Sequence, residues 1–201
     1  PSLPRITTTT LVTNNPSPTI EGNAEPNSIV KLFSEATLIG STKANASTGL
    51  FSVNPSSPLT EGDYTFTVSA TDAAGNVSAI SNSLSLTIDL TSPTISITSS
   101  DSALKAGETA TITFTLSEES TDFTAEDISV SGGAIDSFTA VSATVYTAVF
   151  TPAENSTASG LISVDASSFT DAAGNDNTAG SLTIAVDTVV PEIAITTSDS
   201  A

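Results

Sequence analysis

The residues in this sequence whose types and spacing could do chemistry are carboxylates. Asp72-Ala73-Ala74-Gly75-Asn76 recurs verbatim as Asp171-Ala172-Ala173-Gly174-Asn175. In such a pentapeptide the glycine permits a sharp turn, which exposes backbone carbonyl oxygens beside the Asp carboxylate. A second acidic group, Glu118, Glu119, Asp122, Glu126 and Asp127, falls within ten positions. All of these are hard oxygen donors. Ca2+ gathers roughly six to eight of them at about 2.3–2.6 Å, while Mg2+ requires a tighter octahedron and fits less well. The same turn also forms without a metal, because Asp and Asn bond their own backbone.

Other chemistry has little to work with. The chain lacks His, Cys, Met and Trp and carries three lysines, Lys31, Lys43 and Lys105. That removes the usual general base, thiolate chemistry and any disulfide, so no enzyme is expected. Paired carboxylates could hydrolyse a glycosidic bond, but a small domain without Trp is a poor sugar cleft. An isopeptide bond at Lys31 has no acidic partner that the sequence places beside it. Twenty-two acidic residues against four basic ones give a net charge of -18, which repels nucleic acid and anionic lipid. No apolar stretch approaches the ~20 residues of a membrane span, so no insertion is expected. The Cys-free, Thr/Ser/Asn-rich, acidic composition suits a bacterial exported protein. The chain opens at Pro1 without an initiator Met, and it is read as a piece of a longer one.

The elements that must position these carboxylates are strands. Tyr64, Phe66, Val68 and Ala70 alternate with Thr65, Thr67, Ser69 and Thr71, and Ile112, Phe114 and Leu116 alternate with threonines. Such period-2 runs are half-buried antiparallel strands, and β-branched Thr suits their wet face. The repeat extends beyond the turns. Ile88-Asp89-Leu90-Thr91-Ser92-Pro93-Thr94-Ile95-Ser96-Ile97 returns as Val186-Asp187-Thr188-Val189-Val190-Pro191-Glu192-Ile193-Ala194-Ile195, and Ser100-Asp101-Ser102-Ala103 as Ser198-Asp199-Ser200-Ala201. A period of roughly 100 residues with seven short strands predicts tandem immunoglobulin-like antiparallel β-sandwich domains in an elongated array. Their bounds are 1–90 and 91–188, with the start of a third repeat at 189–201. In the first domain, strands A, B, C, C′, E, F and G are predicted at 5–13, 17–21, 28–34, 36–43, 50–54, 63–71 and 82–89. In the second they are predicted at 94–98, 109–117, 127–131, 134–141, 144–151, 160–166 and 180–187. The Glu61-Gly62-Asp63-Tyr64 turn has the form of a tyrosine corner.

Tyr64-Thr65-Phe66-Thr67-Val68 followed by Thr71-Asp72-Ala73-Ala74-Gly75-Asn76 resembles the bacterial Ig-like repeats of giant type I-secreted, biofilm-associated and RTX-type adhesins. Asp122-Phe123-Thr124-Ala125-Glu126-Asp127-Ile128 with Phe169-Thr170-Asp171-Ala172-Ala173-Gly174-Asn175 resembles a sister family of the same proteins. The glycine-rich nonapeptide repeats of the RTX region do not appear. The resemblance implies calcium at inter-domain linkers. Placed on an Ig topology, Asp89, Glu118, Glu119, Asp122, Asp127, Asp171 and Asn175, with Glu61 and Asp63, gather at the junction as candidate ligands. Glu21, Asp72 and Asn76 form the equivalent set of the first domain, left incomplete by Pro1–Leu3. Asp101 and Asp187 serve a following junction. The expected protein is a monomeric stalk segment of an extracellular bacterial surface adhesin, stiffened by Ca2+, with neighbouring repeats as partners and an unknown distal ligand. The alternatives are a module that itself grips glycan or protein, and an accessory domain of a secreted enzyme.

Overall fold

The computed structural model describes residues 4–9 and 11–196. Pro1–Leu3 and the echo at Ser198–Ala201 lie outside the described residues. The chain forms two compact units, Pro1–Thr91 with Ala172–Asn175, and Ser92–Asp171 with Asp176–Ala201.

In the first unit the strands are β1 (Arg5–Ile6), β2 (Val12–Thr13), β3 (Ile20–Asn23), β4 (Ile29–Ser34), β5 (Thr37–Lys43), β6 (Leu50–Val53), β7 (Gly62–Thr71) and β8 (Leu84–Ile88). They form two sheets in the orders β1-β3-β6 and β2-β8-β7-β4-β5. Between them Ile20, Val30, Leu32, Phe66, Val68 and Ile88 are fully buried, the inward phase of the alternation. Lys31 lies on an outward position of β4, away from that core, so the isopeptide idea fails on geometry. The Tyr64 hydroxyl donates to the Thr60 carbonyl at 2.9 Å, which makes the expected corner.

The second unit contains β9 (Ile95–Ser99), β10 (Ala103–Lys105), β11 (Ala110–Leu116), a 3-10 turn (Ala125–Asp127), β12 (Ile128–Ser131), β13 (Gly133–Ala140), β14 (Val145–Pro152), β15 (Gly160–Val164) and β16 (Gly180–Asp187). Its sheets run β9-β11-β14-β13 and β10-β16-β15-β12. Phe114, Phe150, Phe169, Ile112, Ile162 and Ile184 fill the space between.

Three strand expectations need correction. Strand A of the first domain is not continuous from 5 to 13. β1 pairs with β3, and the chain then crosses to β2, which runs parallel to β8. The Thr7-Thr8-Thr9 run has no apolar side chain for either inner face, and the Thr8 hydroxyl instead accepts from the Glu21 amide. The second unit repeats the manoeuvre through β10, which the alternation missed and which runs parallel to β16. Strand B of the first domain starts at Ile20 and not at 17, because Pro16 and Pro18 have no N–H to give a ladder.

The third correction concerns the strand predicted at 134–141 as C′. β5 is a C′ strand, joined to β4 by a two-residue hairpin in which Glu35 takes φ 53°. β13 instead pairs with β14 in the opposite sheet, the D position. Only Gly132, with φ 73°, separates it from β12. A Cβ there would meet the Ser159 carbonyl oxygen, and one at Gly133 would enter the Phe150 ring. Two adjacent residues without side chains let the backbone cross over the core rim.

Candidate metal centre

In the second unit, the loop after β11 is anchored by an aromatic side chain. Phe123 is 4% exposed and packs against Tyr146, Phe169 and Phe114 at ring distances of 5.0, 5.1 and 5.9 Å. The Tyr146 hydroxyl donates to the Ser120 carbonyl at 3.2 Å. Burial, and then the charge on Asp122, push that hydroxyl's pKa up, which keeps it a neutral donor.

Asp122 ties this loop to the one after β15. One carboxylate oxygen accepts from the Ser120 hydroxyl at 2.7 Å and the Thr170 amide at 3.0 Å, the other from the Thr170 hydroxyl at 2.9 Å. From the other side, Asn177 is 3% exposed and its oxygen accepts from the Ser168 and Phe169 amides, at 2.7 and 3.0 Å. Its amide nitrogen donates to the carbonyls of Asp165 and Thr178. Asp171 follows directly on this clamped segment. Its side chain is buried, and one of its carboxylate oxygens lies within 4.8 Å of one from half-buried Glu118.

Two sequence candidates also make local hydrogen bonds. Asp122 accepts those of the loop-to-loop lock. Asp127 accepts within the 3-10 turn, where its carboxylate takes the Thr124 amide at 2.7 Å and the Thr124 hydroxyl at 3.1 Å. Glu119 is exposed on the loop.

In the first unit, Asp89 follows β8. Its amide donates to the Thr13 carbonyl, and its carboxylate accepts from the Thr91 amide at 3.1 Å. Its carbonyl accepts from the Asn175 side-chain amide at 3.0 Å. Asn14 holds the rest of the 172–175 segment: its backbone amide donates to the Ala173 carbonyl at 3.1 Å and its side-chain amide to the Gly174 carbonyl at 2.6 Å. Glu61 and Asp63 are exposed and accept from the hydroxyls of Thr91 and Thr87.

The Asp72 turn is closed on itself. Its carboxylate accepts from the amides of Ala74 and Asn76 and from the Asn76 side chain at 2.7 Å. Those bonds, the Asn76 side chain foremost, hold the Asp72 carboxyl below its ordinary pKa. Glu21 does not join it, because Glu21 lies within β3 opposite Ser52, on the outward side of the sheet. The residue two past the end of β3 is Glu25, just as Glu118 stands two past the end of β11. Asp101 and Asp187 line one shallow depression with Lys105, which pairs in register with Asp187.

The Asp122 lock has a testable pH signature. Burial works to raise its carboxyl pKa, but the hydrogen bonds from Thr170 and Ser120 outweigh it and hold the group below the ordinary 3.8. A depressed folded-state value adds stability above the unfolded value, and that stability is lost as pH falls through the folded one. Wild type should therefore lose more stability than Asp122→Ala between pH 5 and pH 3. At neutral pH the variant should cost about 1–2 kcal/mol, discounted for partial exposure. Urea midpoints in EGTA at pH 7, pH 5 and pH 3 measure both.

Two family models, each described as a bacterial Ig-like domain, match residues 6–91 and 89–186. The chain carries two bacterial Ig-like domains. No curated protein matches it. Among solved structures, the chain is similar to the fibronectin(III)-like modules of Clostridium thermocellum CbhA, at 17% identity and TM-score 0.41, covering 97% of this chain and 100% of that one. It is also similar to invasin, a bacterial integrin-binding protein, at 12% identity and TM-score 0.40, covering 92% of this chain and 39% of that one. Bacterial Ig-like domains are typically structural or adhesive modules exposed outside the cell. No helix among the described residues is long and apolar enough to cross a membrane.

Proposed function

We propose that these two bacterial Ig-like domains form an extender segment of a surface adhesin, and that Ca2+ stiffens the link between them. The supporting observation is the Glu118–Asp171 carboxylate pair, held by the Asp122 lock and the Asn177 clamp. The donors are all oxygen, which fits a hard cation, and a cation would relieve the repulsion between two close carboxylates. Asp89 is the third proposed carboxylate, since it opens the linker at the residue where the second family match begins. When bound, the ion supplies charge neutralisation and a cross-link. The chain's own residues supply the preset loop positions.

The array continues in this reading. Ile193 and Ile195 are 89% and 91% exposed, whereas their repeat counterparts Ile95 and Ile97 are core residues of the second unit. Residues 189–201 are then the start of a third repeat, and the array projects a distal ligand-binding region away from the cell. Small-angle scattering in calcium and in EGTA tests the stiffening. The expected result is a longer maximum dimension in calcium. Equal dimensions in both would remove calcium from the proposal.

A further inference from the structure

The outer face of the five-stranded sheet in the first unit is ordered by charge along its strands. On β4, Ile29, Lys31 and Phe33 alternate with the core residues Val30 and Leu32, so they point outward. Register sets Ile29 opposite Lys43 of β5, Lys31 opposite Ser41, and Phe33 opposite Leu38. A bulge decides the last pair: it turns Ile39 against the core and leaves Leu38 52% exposed beside Phe33. On the other side, β7 sets Thr71, Ser69 and Thr67 opposite the same three residues of β4. Thr65 and Asp63 continue that outward series to the far end of β7.

The cations stand at one end of this face and the carboxylates at the other. Lys31 and Lys43 are half of the chain's four basic residues. Both are exposed, and neither has an ion-pair partner among the described residues. At the opposite end Glu35 is exposed in the β4–β5 hairpin, where its amide donates to the Thr65 carbonyl at 3.1 Å. Asp63 is exposed one row further on, opposite Thr87. Phe33 and Leu38 form an apolar waist between the two ends. The fold does not require this order. The equivalent face of the second unit shows Ser129, Ser163 and Ser181 in one row and Ser131, Leu161 and Thr183 in the next, with no charge in either.

We propose that this face pairs with the same face of a second copy of the chain. A two-fold axis between the two sheets, crossing the strands at the Phe33–Leu38 row, sets waist on waist. It reverses the strand direction, so Lys31 and Lys43 of each copy meet Glu35 and Asp63 of the other. A chain of net charge -18 repels its own copies, and that repulsion is relieved where its cations meet its carboxylates. Four strands about 4.8 Å apart and five residues at about 3.4 Å each make a face of roughly 20 by 17 Å. That is short of the roughly 1,200 Å2 buried in a stable interface, so the pairing is weak, with a Kd of about 0.1–1 mM. It serves chains held side by side, where local concentration takes the place of affinity. The pairing depends on neither calcium nor the link between the units.

Sedimentation equilibrium of the whole chain in EGTA, at concentrations up to about 1 mM, tests the pairing. Wild type should self-associate. Lys31→Glu with Lys43→Glu makes the face wholly acidic, and Glu35→Lys with Asp63→Lys makes it wholly basic. Each double variant should associate at least about tenfold more weakly than wild type. All four side chains are exposed, and melting curves check that both variants fold. An equimolar mixture of the two should associate more tightly than either alone, because every charge then meets its opposite while both chains stay net negative. Leu38→Ser should weaken pairing, whereas Leu161→Ser, on the equivalent face of the second unit, should not. A wild type that stays monomeric, a mixture no tighter than its components, or equal effects from the two serine variants overturns the proposal. Association through the exposed Ile193 and Ile195 would survive both charge reversals and give the second of these results.

Discussion

Asp171→Asn is expected to abolish the calcium-dependent rise in melting temperature while leaving the fold intact. Asn keeps an oxygen that can accept the turn's own amides, so the substitution removes charge and little else. A ligand that binds only the folded state at a hundred times its Kd adds about 2.7 kcal/mol, which for a domain of ~100 residues is roughly 10 °C or more. Wild type should show that shift by calorimetry between EGTA and calcium. Asp171→Asn should melt at the EGTA temperature in both. Asp72→Asn is the control, because the same pentapeptide there closes on its own side chain and Glu21 has left its side. It should leave the shift unchanged. A wild-type protein that melts identically in calcium and EGTA, or an Asp171→Asn variant that keeps the full shift, would falsify the assignment of Asp171 as a ligand.

The largest loss of stability is expected from Phe150→Ala. The Phe150 ring is fully buried and takes the space that side chains at Gly133 and Gly160 would fill; a Cβ at Gly160 would lie 2.4 Å from it. Removing such a ring from a core costs about 3–5 kcal/mol, against a total of roughly 5–15 kcal/mol for a domain. The second unit should melt far earlier, with the first much less affected. Gly160→Ala alone should also destabilise, since the methyl meets the ring face. Phe150→Leu should partly rescue Gly160→Ala in a double-mutant cycle, because the two changes share one volume. Purely additive losses would show that ring and glycine do not share that space.

The strands were legible because alternation is a local signal. Ile112, Phe114 and Leu116 face inward as their spacing implies, as do Leu84, Leu86 and Ile88. What alternation does not carry is sheet membership. β5 and β13 read alike, and a hairpin against a pair of glycines decides which sheet each joins. The acidic residues were harder, since a carboxylate that locks two loops together and one that lies beside another carboxylate have the same letter. Only the folded loops show that Asp122 accepts from Thr170, that Asp127 accepts from Thr124, and that Glu118 and Asp171 approach each other.

The different homes of β5 and β13 also bear on how such a chain reaches its native state. Adjacent repeats of one fold are prone to trading equivalent segments while they are still assembling. Here the fifth strand of one unit belongs against β4 and that of the other against β14, on opposite faces of their cores. A strand lent to its neighbour would find no slot of matching register. Two neighbouring units of different variant can each recruit their own segments, a proofreading built into topology and independent of any ion.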